Sequence, residues 1–168
     1  MSSSTINNKD DIDNKGSVII HGFFEDEFFV RLKKQQIEKV FVLEARPTLK
    51  SLKHACRHLL KLGIRPVIIS DNMAGFLFFK HMVKEVWLSY QDRDGEEAVC
   101  LVGGLILSVL AKRHHVPVFL SYASSKSGQF ADEKEIFNFN GIRVAPRGIR
   151  GYVPLLEAVP LRYVTNVV

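Results

Sequence analysis

The sequence predicts an α/β domain built on a doubly wound, mainly parallel sheet of five or more strands. Short runs rich in β-branched and aromatic residues alternate five times with helical segments, which is typical of parallel sheets with right-handed crossovers. The run VFVL at 40–43 is apolar at every position, as expected of a central strand that is buried on both faces. The segment after it places apolar residues at three- and four-residue steps, which indicates an amphipathic helix.

The five predicted strands cover residues 17–21, 40–43, 65–70, 85–89 and 116–122, and the predicted helices cover 23–36, 49–62, 72–81 and 98–111. Thr48 is predicted to cap the second helix, because its hydroxyl can accept a hydrogen bond from a free amide of the first turn. The run at 98–111 is the most apolar in the chain but too short for a membrane span of about 20 residues, which favours a buried helix. Short extended pieces are expected at 142–144 and within 159–168.

The composition is that of one globular domain. The chain has 168 residues, is 46% hydrophobic and carries a net charge of +5. Its basic residues are scattered, so nucleic acid is not the favoured partner. The polar residues 1–16 are expected to form a disordered tail before a domain that spans 17–168. Two cysteines cannot form a disulfide framework, and no apolar leader is visible. These observations predict a cytoplasmic protein without membrane contact. We expect no cofactor.

Charged and polar side chains follow the predicted strands at the edge where open α/β sheets bind ligands. Glu44 and Arg46 come directly after the second strand, and Lys50 lies one helical turn further along. The Arg46 guanidinium can hold a phosphate, or it can pair with Glu44 or Asp71 and only stabilise the loop. A Ser-Lys loop follows the fifth strand, where it is either an anion site or an ordinary solvated loop. The predicted ligand-binding residues are Arg46, Glu44, Lys50, Asp71, Ser125 and Lys126.

Histidines, cysteines and a glycine pair give weaker signals. His54 and His58 lie four residues apart on one helix face, but no third ligand joins them, so we expect no metal site. Cys56 belongs to the apolar stripe of that helix, and Cys100 in the next apolar run is expected to be a core thiol. The glycine pair at 103–104 falls inside a predicted helix rather than after a strand, so it is not expected to bind phosphate.

Five segments, taken in order, resemble one known family: VIIHG at 18–22, VLEARP at 42–47, LGIRPVIISDNMAG at 62–75, LSVLAKRHHVPVF at 107–119 and PLLEAVPLRYVT at 154–165. From residue 17 to 168 the chain resembles the C-terminal Rossmann-like domain of the initiation factor 2B alpha, beta and delta subunits, methylthioribose-1-phosphate isomerase and ribose-1,5-bisphosphate isomerase. The resemblance implies a Rossmann-like sheet. It also implies an N-terminal helical domain, which we expect to be absent because only sixteen polar residues precede the match.

The resemblance implies catalytic residues that this sequence lacks. The isomerases of the family carry a catalytic Cys just after the histidine of the first strand, where this chain has Gly22. Their catalytic Asp closes a Gly-Ala-Asp signature after the fourth strand; the ungapped match here is Tyr90, and Asp92 is reached only by a shift of two. The family's phosphate-holding Asn-Lys pair is matched by Cys100 and Leu101. Because isomerisation needs a positioned acid and base, no catalytic residue is predicted.

Arg46 is the one substrate contact of the family that remains. The regulatory subunits of initiation factor 2B form the non-catalytic branch of the family and act through assembly. The resemblance therefore implies a catalytically silent domain that forms a homodimer or binds a related family subunit, in a translation-related role. The alternative is a binding protein for a phosphosugar or a nucleotide at the carboxyl edge of the sheet.

The helix after the third strand is the predicted interface. It is apolar nearly all round, whereas the sheet can cover only one side of it. The resemblance implies that the family pairs its domains through this helix and the C-terminal segments. In the competing interpretation the chain's own tail, 154–168, covers the helix. The predicted interface residues are Met73, Phe76, Leu77, Phe79 and Met82.

Overall fold

The computed structural model describes residues 16–37, 39–139 and 141–168, so most of the predicted tail at 1–16 lies outside the described residues. The strands within the described residues are β1 (Ser17–His21), β2 (Lys39–Leu43), β3 (Pro66–Ile69), β4 (Glu85–Asp94), β5 (Glu97–Leu101), β6 (Val118–Tyr122), β7 (Asn138–Phe139), β8 (Ile142–Arg143), β9 (Leu156–Pro160) and β10 (Asn166–Val167). Six of them form a parallel path in the order β3-β2-β1-β4-β6-β10. The chain thus winds outwards from β1 in both directions, which confirms the predicted fold class.

Helices cover both faces of this sheet. Side chains of β1 alternate between two cores because successive residues of a strand point to opposite faces. Val18 and Ile20 pack with one pair of helices, and Ile19 packs with the other pair. The first pair is α1 (Asp26–Lys34) and α2 (Lys50–Lys61), and the second is α3 (Ala74–Phe79) and α4 (Gly104–Arg113). None of the helices in the described ranges has the length and apolar content needed to cross a membrane.

An antiparallel extension of the sheet was not predicted. β4 continues past the expected end at 89 to Asp94, and its second half pairs with β5, which pairs in turn with β9. The prediction of a helix over 98–111 is therefore wrong for its first third, and α4 starts only at Gly104. Residues 98–101 are apolar enough for either structure, and pairing with the adjacent β4 on one side and the distant β9 on the other decides for the strand.

Several element ends also differ from the predictions. α1 starts at Asp26 instead of 23, since Glu25 is still extended. Thr48 is not the cap of α2: Leu49 occupies that position in the left-handed region, and its N–H donates to the carbonyl of Ala45, so a separate turn precedes the helix. A 3-10 turn at Asp71–Met73 replaces the first part of the helix predicted over 72–81. β6 starts at Val118 rather than 116.

The segment between β6 and β9 folds back towards the carboxyl ends of the parallel strands. Residues 129–131 run antiparallel to 153–155: the N–H of Ala131 donates to Val153 and the N–H of Leu155 donates to Gln129. A two-stranded hairpin, β7 with β8, lies between these two stretches. This segment supplies one side of the site described next.

Candidate functional site

A cavity of about 300 Å³ opens at the carboxyl edge of the parallel sheet. Arg46 and Lys50 line it on one side, and Ser125 and Lys126 line it on the other. No carboxylate is among its described lining residues, which also include Phe23, Ser51, Val102, Gly128, Pro154 and Leu155. The structure thus brings together four of the six predicted ligand-binding residues. A concave site with three cationic side chains and a hydroxyl suits a phosphate or another anion.

The first wall of the cavity is held by Asp71. Its two carboxylate oxygens accept hydrogen bonds from the backbone N–H of Ala45 at 2.8 Å and of Arg46 at 3.0 Å. Asp71 therefore positions the loop, and it is not among the residues that line the cavity. Glu44 also does not line the cavity, and its N–H donates to the carbonyl of Ile69 between β2 and β3. The structure thus does not bring these two residues into the cavity with the other four.

The Arg46 guanidinium is not neutralised by a carboxylate among the described residues. It lies over the Phe139 ring, with 4.3 Å from its central carbon to the ring centroid. The predicted alternatives, a pair with Glu44 or with the Asp71 carboxylate, do not form at the guanidinium, because Asp71 accepts from the main chain instead. The aromatic face fixes the side chain while its donors stay available.

The second wall, the Ser-Lys loop, is pinned at both ends. The Glu25 carboxylate accepts from the Ser124 N–H at 2.8 Å and from its hydroxyl at 2.6 Å, and these bonds lower the pKa of Glu25 below its usual value. Gln91 accepts from the N–H of Ser127 at 2.8 Å and donates to its carbonyl at 3.3 Å. Ser125 and Lys126 are held between these anchors and remain exposed. Side chains from two other elements therefore hold both ends of the loop.

A second, more open cavity lies on the other side of the Arg46 turn. It is lined by Pro47, Leu49 and Phe139, together with Asp132, Lys134 and Glu135. The Arg46 guanidinium lies over Phe139, so the charged groups around this cavity are two cations, Arg46 and Lys134, and two carboxylates. The first cavity has no carboxylate among its described lining residues, which favours it for a phosphate.

His21 lies buried beneath the first cavity. Its Nε2 is 2.9 Å from the carbonyl oxygen of Val102, a lining residue. Because a carbonyl only accepts, Nε2 carries the hydrogen, and Nδ1 has no partner among the described residues. Burial lowers the pKa of His21 below 6.5, since the charged ring would lose its hydration. The neutral ring supports the loop that leads into α4.

Gly22 occupies the position where the family resemblance implies a catalytic thiol. Its φ of +125° lies outside the region that other residues adopt easily. A Cβ added there would lie 2.0 Å from the Ser89 Oγ and 2.8 Å from the Ser89 Cβ. Ser89 is buried and its Oγ accepts from the N–H of Phe23 at 2.8 Å. The hydroxymethyl group of Ser89 thus fills the space that a larger residue at 22 would need.

The other positions matched to the family's catalytic and phosphate-holding residues lie in different surroundings. Tyr90 ends the parallel part of β4, and its ring contacts that of Tyr122 at 5.6 Å between centroids. Asp92 lies beyond a bulge on the exposed extension of β4 and does not line the cavity. Cys100 is buried in β5, where burial raises the pKa of its thiol to about 12. Leu101 is the only one of these four that lines the cavity.

The start of α4 corrects one prediction. The glycine pair at 103–104 does follow a strand, β5, and it opens a helix, as in phosphate-binding loops. The Glu157 carboxylate, however, accepts hydrogen bonds from the N–H of Gly103 and of Leu105, both at 2.8 Å. An internal anion therefore already satisfies this helix terminus. Sequence reasoning missed Glu157 because it lies in β9, more than fifty residues away.

Comparison with known proteins places the chain in a family. The model of the initiation factor 2 subunit family matches residues 27–168. The chain belongs to the initiation factor 2 subunit family. This confirms the resemblance on which the functional expectations were based.

Relatives within the initiation factor 2 subunit family include both enzymes and factors. Methylthioribose-1-phosphate isomerase of Thermus thermophilus is 31% identical over 147 residues, which cover 79% of this chain and 44% of the relative. The same enzyme of Bacillus pumilus is 25% identical over 170 residues, with 92% and 48% covered. The chain thus spans about half the length of the curated relatives it matches.

Three solved structures share the fold of this family member. The delta subunit of translation initiation factor eIF-2B from A. fulgidus superposes with a TM-score of 0.79 at 21% identity, covering 91% of this chain and 51% of that chain. A 5-methylthioribose 1-phosphate isomerase from Pyrococcus horikoshii gives 0.78 at 20% identity, covering 90% and 49%. A tetrameric eIF2B-beta2-delta2 complex from C. thermophilum gives 0.61 at 17% identity, covering 90% and 49%. At these identities the superpositions establish the fold alone.

The predicted interface helix is only partly available for contact in this family member. Met73, Phe76 and Phe79 are 53%, 58% and 69% exposed. Leu77 is buried in the core and the partly buried Met82 packs against that core, so the exposed part of the predicted interface is Met73, Phe76 and Phe79. The tail at 154–168 does not cover the three exposed side chains: β10 lies at the edge of the sheet opposite to β3, after which α3 begins.

The histidines of α2 join two helices. His54 donates from Nε2 to the carbonyl of Phe24 at 2.8 Å, and His58 Nδ1 lies 2.8 Å from an Asp26 carboxylate oxygen. Cys56 is half-buried beside them, and burial raises its pKa. Within the described ranges no group of three metal-ligating side chains occurs. These histidines tie α2 to the start of α1.

Proposed function

We propose that this domain binds a phosphorylated small molecule in the cavity between Arg46 and the Ser-Lys loop, and that it does not isomerise the ligand. The observation that carries the proposal is a cavity lined by three residues with cationic side chains, Arg46, Lys50 and Lys126, and by no carboxylate among the described residues. Burying an anion there gains charge-assisted hydrogen bonds without repulsion from an acidic neighbour. The anchors on both walls mean that little ordering entropy is lost when the ligand binds.

Catalytic silence follows from what surrounds the cavity. Moving a proton along a sugar needs an acid and a base within hydrogen-bond reach of the substrate. Gly22 offers no thiol, Tyr90 replaces the carboxylate, and Asp92 lies outside the cavity. His21 is buried, and its Nε2 hydrogen already goes to Val102. No pair of groups in the described site is poised for isomerisation.

Calorimetric titration with ribose 5-phosphate, and with ribose as the uncharged reference, tests the binding proposal. We expect the phosphate ester alone to bind, and Arg46→Gln to weaken it about 10- to 100-fold, since a charge-assisted bond contributes about 1.5–3 kcal/mol. Arg65→Gln is the matched control, because Arg65 is exposed just before β3, at the amino end of the sheet. Equal affinity in wild type and Arg46→Gln would contradict the proposal.

Turnover is tested with methylthioribose 1-phosphate and ribose 1,5-bisphosphate by phosphorus NMR. We expect no conversion above the rate without protein. A rate well above background that is lost in Asp92→Asn would show that the carboxylate shifted by two residues acts after all. Asp94→Asn is a suitable control, because Asp94 is exposed on the same strand.

A second candidate function is association through the exposed side chains of α3. Met73, Phe76 and Phe79 present apolar surface that neither the core nor the tail covers. Contiguous apolar surface of this kind is typical of protein–protein contacts. We infer a homodimer, or a pair with a related family subunit, that buries on the order of 1,600 Å². By this second role the domain would act in translation-related assembly.

Light scattering at micromolar concentration tests the association. We expect a dimer for the wild type and a monomer for Phe79→Glu. Ile142→Glu is the matched control, since Ile142 is equally exposed but lies on the β7–β8 hairpin. A wild-type protein that stays monomeric across this range would remove the homodimer.

A further inference from the structure

The net positive charge of the chain comes from one stretch, residues 45–70. Of the 23 Lys and Arg residues in the chain, six lie in this stretch, which has no Asp or Glu, and the other 17 are matched by all 18 Asp and Glu residues. The stretch forms the turn after β2, helix α2 and the edge strand β3. The cations alone are scattered along the sequence, but the uncompensated charge is concentrated on one part of the surface.

Helix α2 arranges three of these cations in one exposed stripe. Lys53, Arg57 and Lys61 follow one another at four-residue steps, so they share a face, with about 6 Å between successive positions along the helix axis. The salt bridge found within the described residues joins His58 to Asp26, so none of the described carboxylates neutralises the stripe. Like charges at this spacing destabilise a helix, and an anionic partner would relieve that repulsion.

Exposed apolar side chains border the stripe towards the free edge of the sheet. One flank of α2 contacts the start of α1 through His54 and His58. Leu60 lies on the other flank and is 59% exposed. Ile68 pairs with Val42, which belongs to the core under α1 and α2, so Ile68 lies on the same face of the sheet as α2. It is nevertheless 55% exposed, because β3 is the outermost strand.

We propose that this surface, the stripe of Lys53, Arg57 and Lys61 with Leu60 and Ile68 beside it, binds an acidic amphipathic helix of another protein. A helix that carries carboxylates at four-residue steps repeats them about every 6 Å, which matches the spacing of the stripe. Apolar side chains on the neighbouring face of that helix cover the exposed leucine and isoleucine. None of these five residues lines the cavity proposed to bind an anion, so the two sites are separate.

A second copy of this chain does not supply such a helix. Helix α1 carries carboxylates only in its first turn, at Asp26 and Glu27, and α2, α3 and α4 carry none. Two copies of the cationic stripe placed face to face would also repel each other. The partner is therefore a different protein.

A nucleic acid fits this surface less well than an acidic helix does. The stretch 45–70 contains no Phe, Tyr or Trp on which a base could stack. A sugar-phosphate backbone would also cover Leu60 and Ile68 with polar groups, which gains nothing from their burial. The apolar border of the stripe thus favours a protein.

The experiment measures binding of two fluorescein-labelled synthetic peptides to the full chain by fluorescence anisotropy at low salt. Both peptides are about 18 residues long, so that they can form a helix, and carry Glu at four-residue steps; one has Leu on the adjacent face and the other has Ala. Arg57→Gln with Lys61→Gln should weaken the Leu peptide about 2- to 30-fold. Lys112→Gln with Arg113→Gln is the control, since it removes the same two residue types from exposed positions of α4, on the other face of the sheet.

Leu60→Gln tests the apolar part of the surface. We expect the wild type to prefer the Leu peptide over the Ala peptide, and Leu60→Gln to lose most of this preference while it binds the Ala peptide unchanged. Because Leu60 is largely exposed, its replacement should not unfold the domain.

Three results would overturn the proposal. The first is no binding of the Leu peptide, or an equal loss in the α2 and α4 double variants. The second is equal affinity for both peptides, since the surface would then recognise charge alone. The third is tighter binding of an oligouridine of about 12 nucleotides, which would assign the stripe to a nucleic acid.

Discussion

Replacing Gly22 with alanine should destabilise the fold strongly, although it adds a single methyl group. The new Cβ would meet the Ser89 Oγ at 2.0 Å and the Ser89 Cβ at 2.8 Å. A rotation of the hydroxyl could relieve the first contact but not the second, because the Cβ is fixed to the β4 backbone. Overpacking of this kind costs about 1–3 kcal/mol. The left-handed φ of +125° adds about 1–3 kcal/mol for a residue with a side chain.

Together these effects predict a loss of roughly 2–6 kcal/mol in the free energy of unfolding, measured by urea denaturation at neutral pH. Gly63→Ala is the matched control: its φ is +77° and no atom lies within 4 Å of the added Cβ. It should therefore show backbone strain without the contact. Gly22→Ala combined with Ser89→Gly should recover the overpacking share and retain the strain.

An equal cost for Gly22→Ala and Gly63→Ala would refute the reasoning, because it would mean that β4 yields to the added group. The prediction also bears on function. A cysteine at position 22 needs the same Cβ, so restoring a thiol there requires a smaller residue at 89. A Gly22→Cys variant that was as stable as wild type would show that the space is not filled as described.

Three further predictions concern the support of the site. Burial holds His21 neutral and lowers its pKa in the folded protein below 6.5. Above pH 6.5 the imidazole is unprotonated in both the folded and the unfolded protein, whereas below it the imidazole of the unfolded chain binds a proton. The free energy of unfolding therefore falls on acidification. The stability advantage of wild type over His21→Gln, from urea melts, should shrink by about 1 kcal/mol between pH 7.5 and 5.5, and a constant difference would contradict this. Glu157→Ala should lower the free energy of unfolding by about 1–3 kcal/mol, because two N–H groups at the start of α4 lose their acceptor. Glu97→Ala, at an exposed position, is the control, and an equal loss in both variants would contradict the prediction. Gln91→Ala should weaken ribose 5-phosphate binding several-fold with a small change in melting temperature, because the variant loses both hydrogen bonds to the Ser127 backbone. Unchanged affinity would show that the Ser-Lys loop does not need this anchor to bind the ligand.

The sequence by itself determined the parallel part of the fold. Buried strands such as β2 are apolar at successive positions, and this pattern depends only on local residues and their burial on both faces. The placement of Arg46, Lys50 and the Ser-Lys loop together at the carboxyl edge of the sheet followed from strand order alone. The family assignment followed from five short segments taken in their order along this chain, and the family match confirms it.

Only the tertiary structure decided the features that depend on partners distant in the chain. Residues 98–101 pair with the adjacent β4 on one side, and on the other with β9, which lies more than fifty residues away. The Asp71 carboxylate binds the backbone of the loop after β2, and the Glu157 carboxylate binds the N–H groups at the start of α4. Ser89 filled the space beside Gly22 across two neighbouring strands. Hydrogen bonds and excluded volume of this kind join residues by distance in space, which a one-dimensional pattern does not contain.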